Sequence, residues 1–147
     1  MGTVQTFEHS AVKIRNWEEF LDRSGIRESC LNKDIRRKVE LDDGFVRPAG
    51  SILVWQSDRL MPTAGVVEAL QENGLQPEDL WSQFVLAVTK FRLRAGEPVV
   101  ALGRNHVHLG NNAPTLFVLG ERKNLQLNSL SSDWYGGCRF VVRPISA

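Results

Sequence analysis

Long apolar runs, a recognisable cysteine pair and an excess of either charge are all missing from this 147-residue chain, and each absence narrows what it can be. No stretch approaches the ~20 apolar residues that a membrane helix needs, so no membrane partner is expected. Lys and Arg (18) nearly cancel Asp and Glu (17), leaving a formal charge of +1. No general field then draws the chain to nucleic acid, and none is expected as a partner. Cys30 and Cys138 stand far apart and form no metal or redox spacing. They read as reduced thiols of a cytoplasmic protein. The opening, Met1 to Ser10, agrees, because it lacks the basic-then-apolar layout of a secretion signal. The glycines make no phosphate-binding loop of either common spacing. No repeat, linker or low-complexity tract divides the chain, so residues 1–147 are expected to form a single domain able to bury its own core.

What is present begins with a dense apolar stripe between Pro77 and Arg94. Leu80, Trp81, Phe84, Val85, Val88 and Phe91 recur at three- and four-residue spacing, with Leu86 and Ala87 widening the face. Pro77 suits a first helical position, Glu78 and Asp79 the positive end of the dipole, and Lys90, Arg92 and Arg94 the other end before Gly96. Burying those six residues contributes a gross ~9–18 kcal/mol, an upper bound against an extended chain. Thr63 is placed to cap a second helix over 64–73, with Val66, Val67 and Leu70 inward and Gly74 as its stop. Only Leu75 and Gln76 separate the two, which predicts an antiparallel helical hairpin.

Earlier in the chain, Asn16 and Glu19 have the spacing of a reciprocal cap for a short helix carrying Trp17, Phe20 and Leu21, ended by Gly25. A further helix is predicted over 29–38, where Arg36, Arg37 and Lys38 point in three directions and read as a solvated face. Ala11 to Ile14 has the character of an edge strand, and Asp42-Asp43-Gly44 that of a turn between Val39-to-Leu41 and Phe45-Val46. Ser51 to Gln56 is the best central strand. Beyond Glu97, the segments 99–102, 115–119, 125–127 and 138–143 read as short strands divided by Gly and Asn. The expected architecture is α+β: an antiparallel sheet, mostly of C-terminal strands, covered on one face by the helical hairpin.

Two constellations carry chemistry. On an extended strand Arg104, His106 and His108 share one face, with Asn105 between them and Asn111 and Asn112 following. Two adjacent imidazoles can act as base and orienting partner, or simply alternate along a half-exposed strand. The third histidine, His9, is distant, so no metal site is expected. Asp133-Trp134-Tyr135-Gly136-Gly137 places adjacent aromatics beside flexible glycines, which suits either a stacking wall or a plug at the end of the core. Cys138, beside Phe140 and with no adjacent base, reads as buried and not as a nucleophile.

The closing third of the chain resembles the last strands of bacterial C-type-lectin-like domains. The likeness rests on Asn112, Leu116-Phe117, Gly120, Leu125 to Asn128, Trp134 and Gly136-Gly137, running on to Arg139-Phe140-Val141-Val142-Arg143-Pro144. Arg59-Leu60-Met61-Pro62-Thr63 looks like the Arg-Leu-Pro-Thr step of that group, with Met61 inserted. The group spans surface-binding modules, phage receptor-binding tips and formylglycine-generating enzymes, and the resemblance implies binding more than catalysis. Glu97-Pro98-Val99 and Asp133-Trp134-Tyr135 depart from the calcium-binding steps, so no calcium ligands follow, and the paired active-site cysteines of the oxidising enzymes are absent.

Taken together, these residues predict a non-enzymatic binding or assembly domain that uses no cofactor. Arg104, Asn105, Asn112, Trp134 and Tyr135, on loops at the end of the sheet, would contact a small molecule, carbohydrate, protein or second copy of the chain. The alternative is a small hydrolase or isomerase acting through His106 and His108.

Overall fold

Val54 and Trp55 are neighbours in sequence but belong to two different cores, and that division organises the molecule. The computed structural model describes residues 2–103 and 109–145. The first half of the chain supplies β1 (Thr3–His9), β2 (Val12–Ile14), α1 (Trp17–Ser24), α2 (Lys33–Lys38), β3 (Phe45–Arg47), β4 (Gly50–Gln56), β5 (Met61–Pro62) and α3 (Thr63–Glu72). There follow β6 (Leu75–Pro77), α4 (Leu80–Val88), β7 (Val99–Val100), β8 (Asn112–Leu119), β9 (Arg122–Ser129), β10 (Asp133–Trp134) and β11 (Arg139–Pro144). Short 3₁₀ turns at Glu28–Cys30 and Leu41–Asp43 complete the set. None of the described helices is long and apolar enough to cross a membrane.

Seven strands form one sheet in the order β1-β4-β11-β7-β8-β9, with β6 also paired to β11. On one side β11 meets β4 along Arg139 to Val142. On the other it shares its length between β7, at Arg139 and Phe140, and β6, at Val142 to Pro144. The β11–β7 pairing is parallel, and every other pairing in this sheet is antiparallel. The α+β class and the mostly antiparallel sheet therefore hold, and β4 lies inside the sheet between β1 and β11 as its unbroken apolar run predicts.

Side chains alternate across a strand, so each strand feeds both faces. Ile52, Val54, Val99, Leu116, Leu125 and Val141 pack on one face with α1, α2 and α4. Trp55, Val100, Ala113, Phe140 and Val142 pack on the other with α3, Leu75, Trp134 and Cys138. The helical pair expected to cover a single face is thus divided between the two. The reason is β6: Leu75, Gln76 and Pro77 are extended backbone paired with Pro144, Arg143 and Val142, and they carry the chain from one side of the sheet to the other.

Other elements are shorter or differently joined than the spacing predicts. Pro77 ends β6, and α4 begins three residues later with Asp79 as its cap, its carboxylate accepting from the Trp81 N–H at 3.1 Å. The helix stops at Val88, where Thr89 takes up extended backbone, and buried Arg139 holds the segment that follows. That side chain donates to the carbonyl of Glu97 through Nε (3.0 Å) and Nη2 (2.8 Å), and to that of Arg92 through Nη1 (3.2 Å). Gln83, buried on α4, ties the helix to the sheet by donating to the carbonyls of Val99 (2.9 Å) and Pro114 (2.8 Å). The expected 39–46 hairpin is replaced by pairing of β3 with β2, since Val39 and Leu41 are buried in the core. By contrast, α1 starts as predicted: the Asn16 side chain accepts from the Glu19 N–H, and Gly25 ends the helix at φ +76°.

Candidate binding surface

The segment 129–137 runs from the end of the sheet where β8 starts and β9 finishes to the opposite end, where β4 finishes and β11 starts, so Asn112 and Tyr135 lie at different ends. Leu130 N–H donates to Asn111 O at 2.9 Å, and Asn111 Nδ2 donates to Ser131 Oγ at 3.1 Å, which ties the turn before β8 to the chain leaving β9. Asn112, a predicted contact residue, spends its amide on the same turn by donating to Leu109 O at 3.0 Å. Thr63 does not cap α3 through its side chain. Its hydroxyl donates to Leu130 O and accepts from Trp134 Nε1, both at 2.8 Å, so the loops, α3 and the Trp134 indole are fastened together.

Trp134 is only 4% exposed and meets Phe140 edge-on at 6.0 Å. Of its two predicted roles the structure gives it the plug, since a ring enclosed on this scale presents no face for stacking. The exposed aromatic is its neighbour Tyr135, at 50%. Pairing of Trp134 with Met61 brings the segment 133–137 alongside 57–62, and Leu60, 64% exposed, is the next residue out from Met61. Tyr135 and Leu60 each lie one residue beyond that pair. Their base is tight. Gly137 N–H donates to Ser57 O at 2.8 Å, and a Cβ on Gly136 would lie 3.2 Å from the backbone at Asp58 and Arg59. Gly137, at φ +101°, supplies a left-handed backbone that other residues rarely adopt.

Cys138 follows directly and is fully enclosed. Burial pushes its thiol up to about 11, so it is protonated at neutral pH. The Tyr135 phenol is also pushed up, first by desolvation and then by the nearby Cys138, and it stays neutral. Arg104, Asn105, His106 and His108 lie outside the described residues. Among the described residues no group of three or more His, Cys, Asp or Glu is placed to hold a metal ion.

Comparison of the chain with family models, curated proteins and solved structures finds no match. The geometry of the surface therefore carries the functional argument. Two sizeable cavities are found elsewhere: one of about 540 Å³ lies between the end of β1 and the residues after α4, and one of about 520 Å³ between Gly25 and the tip of the β8–β9 hairpin. Tyr135 and Leu60 line neither of these two.

Leu60 is the functional candidate that sequence reasoning misses. Its one visible signal is an apolar residue standing directly after Asp58 and Arg59 in a segment with turn character. Nothing in the spacing announces that it adjoins Tyr135, because the two are brought together by the two-residue β5–β10 pairing.

Proposed function

We infer that this chain is a non-enzymatic binding domain that contacts a protein partner through Tyr135 and Leu60. The observation that carries this reading is an exposed aromatic and an exposed aliphatic side chain on two segments brought alongside by the β5–β10 pairing. Such a surface loses little entropy on binding, because the loops are held by Trp134, Thr63, Gly136 and Gly137 before a partner arrives. Aromatic anchors of this kind dominate protein interfaces, and Asp58, Arg59 and Asp133 supply a polar rim. The resemblance to C-type-lectin-like domains leans the same way, towards binding.

The test is a displayed-peptide and glycan screen with the intact chain, each binder then being measured against Tyr135→Ala and Leu60→Ser. At least one peptide binder is expected to lose about tenfold or more in affinity, roughly 1.4 kcal/mol. Binders that ignore both substitutions would overturn the reading, and binding confined to glycans would reassign the partner class.

A further inference from the structure

The sheet has two end strands, β1 and β9, and the molecule treats them differently. The outer side of β9 is covered at its middle: Leu31 bridges Leu125, Asn32 N–H donates to Leu125 O at 2.9 Å, and Gln126 Nε2 donates to Cys30 O at 3.0 Å. Arg122 and Lys123 stand at its start. Cover and cations are two of the devices by which proteins keep a sheet edge from recruiting another strand. β1 has neither. Its seven residues, Thr-Val-Gln-Thr-Phe-Glu-His, pair with β4 in unbroken register from Thr3–Gln56 to His9–Gly50, without a bulge. The strand contains no Lys, Arg, Pro or Gly. Thr3, Val4, Gln5 and Thr6 are all exposed, and among the described residues β1 is paired on one side only.

We propose that β1 is a docking edge for a second copy of this chain, the two β1 strands pairing antiparallel about a two-fold axis at Thr6 and doubling the sheet. This edge shares no residue with the surface bearing Tyr135. Several features favour a second copy as the occupant. Antiparallel pairing centred on Thr6 sets Thr6 against Thr6, Gln5 against Phe7 and Val4 against Glu8. A Thr–Thr cross-strand pair is favourable, and like charges never face one another. Glu8, the only carboxylate on the strand, is already engaged by the Ser51 hydroxyl at 2.8 Å. A formal charge of +1 per chain gives two copies almost no mutual repulsion. A two-fold contact uses the same patch on both partners and so closes on itself. With β9 guarded, growth stops at two.

The test measures the mass of the full chain in solution by light scattering over a concentration series, with variants at Thr6. Wild type is expected to approach twice the chain mass of 16.5 kDa. Thr6→Lys sets two ammonium groups face to face and is expected to raise the dimer dissociation constant at least tenfold, as is Thr6→Asp with two carboxylates. Mixing the two variants is expected to restore the dimer, an outcome that misfolding of either variant would not give. Tyr135→Ala is expected to leave the mass unchanged. A wild-type chain that stays monomeric to about 1 mM, the weak limit of specific association at roughly 4 kcal/mol, would overturn the proposal. So would a dimer indifferent to both Thr6 variants. A dimer broken by Tyr135→Ala alone would also overturn it, while leaving the reading of the Tyr135 surface as an interface intact.

Discussion

Arg139 is 3% exposed and reads in sequence as one more residue of a strand, yet its guanidinium holds the loop after α4 and lies 5.0 Å over the Phe91 ring. Burial lowers its proton affinity and the Glu97 carboxylate offsets part of that, but an arginine remains charged throughout the useful pH range. Its neighbour Cys138 gives a sharper test. The thiol holds its proton more tightly folded, at about 11, than in an unfolded chain, where about 8.5 is usual. The resulting stability is fully present below the unfolded value and is lost as pH rises through it towards the folded one. Between pH 8 and pH 11, wild type is expected to lose about 1–3 kcal/mol more than Cys138→Ala. Urea unfolding of the two at matched pH measures this, and parallel pH profiles would contradict it. At this scale the caps of α1 and the burial of Cys138 were legible, because each depends on near neighbours. The role of Arg139 was not, since its partners Arg92 and Glu97 lie more than 40 residues earlier and accept through backbone carbonyls that carry no sequence signature.

Among the elements, the clearest contrast is between β4 and β6. Ile52, Leu53, Val54 and Trp55 announce a strand covered on both faces, and the structure places it there. Leu75-Gln76-Pro77 announces a turn, because three residues ending in proline are too few to show alternation. Only the distant Val142 to Pro144 segment makes them a strand. That one element changes the placement of both helices, which is why the spacing predicted a hairpin and the fold has none. It also sets the start of α4, which rests on the Asp79 cap. Asp79→Ala is expected to destabilise the chain by about 1 kcal/mol, with Asp79→Asn close to wild type. Chemical denaturation measures both, and an alanine variant as stable as the asparagine one would remove the cap from the account of this helix. The candidate surface was legible in part for the same reason: Tyr135 could be named from local composition, whereas Leu60 needed the β5–β10 pairing.

At the scale of the whole molecule, a single sheet with a core on each face explains why the two cysteines are free. Cys30 belongs to one core and Cys138 to the other, with the sheet between them. Packed layers sit roughly 10 Å apart, beyond the Cα separation of about 4.4–6.8 Å that a disulfide bridges. The tryptophans divide in the same way. Trp17 and Trp81 pack with one core, Trp55 and Trp134 with the other, and together they are the four in the chain. Because both cores draw residues from β4 and β11, the two are expected to unfold together. Replacing one pair with phenylalanine at a time makes each half of the molecule its own intrinsic fluorophore. In each variant, emission and far-ultraviolet circular dichroism are expected to share one urea midpoint. Divergent curves would mean that the two sides melt independently. With coincident curves the sheet acts as a mechanical coupling, and light from either side reports the state of the whole.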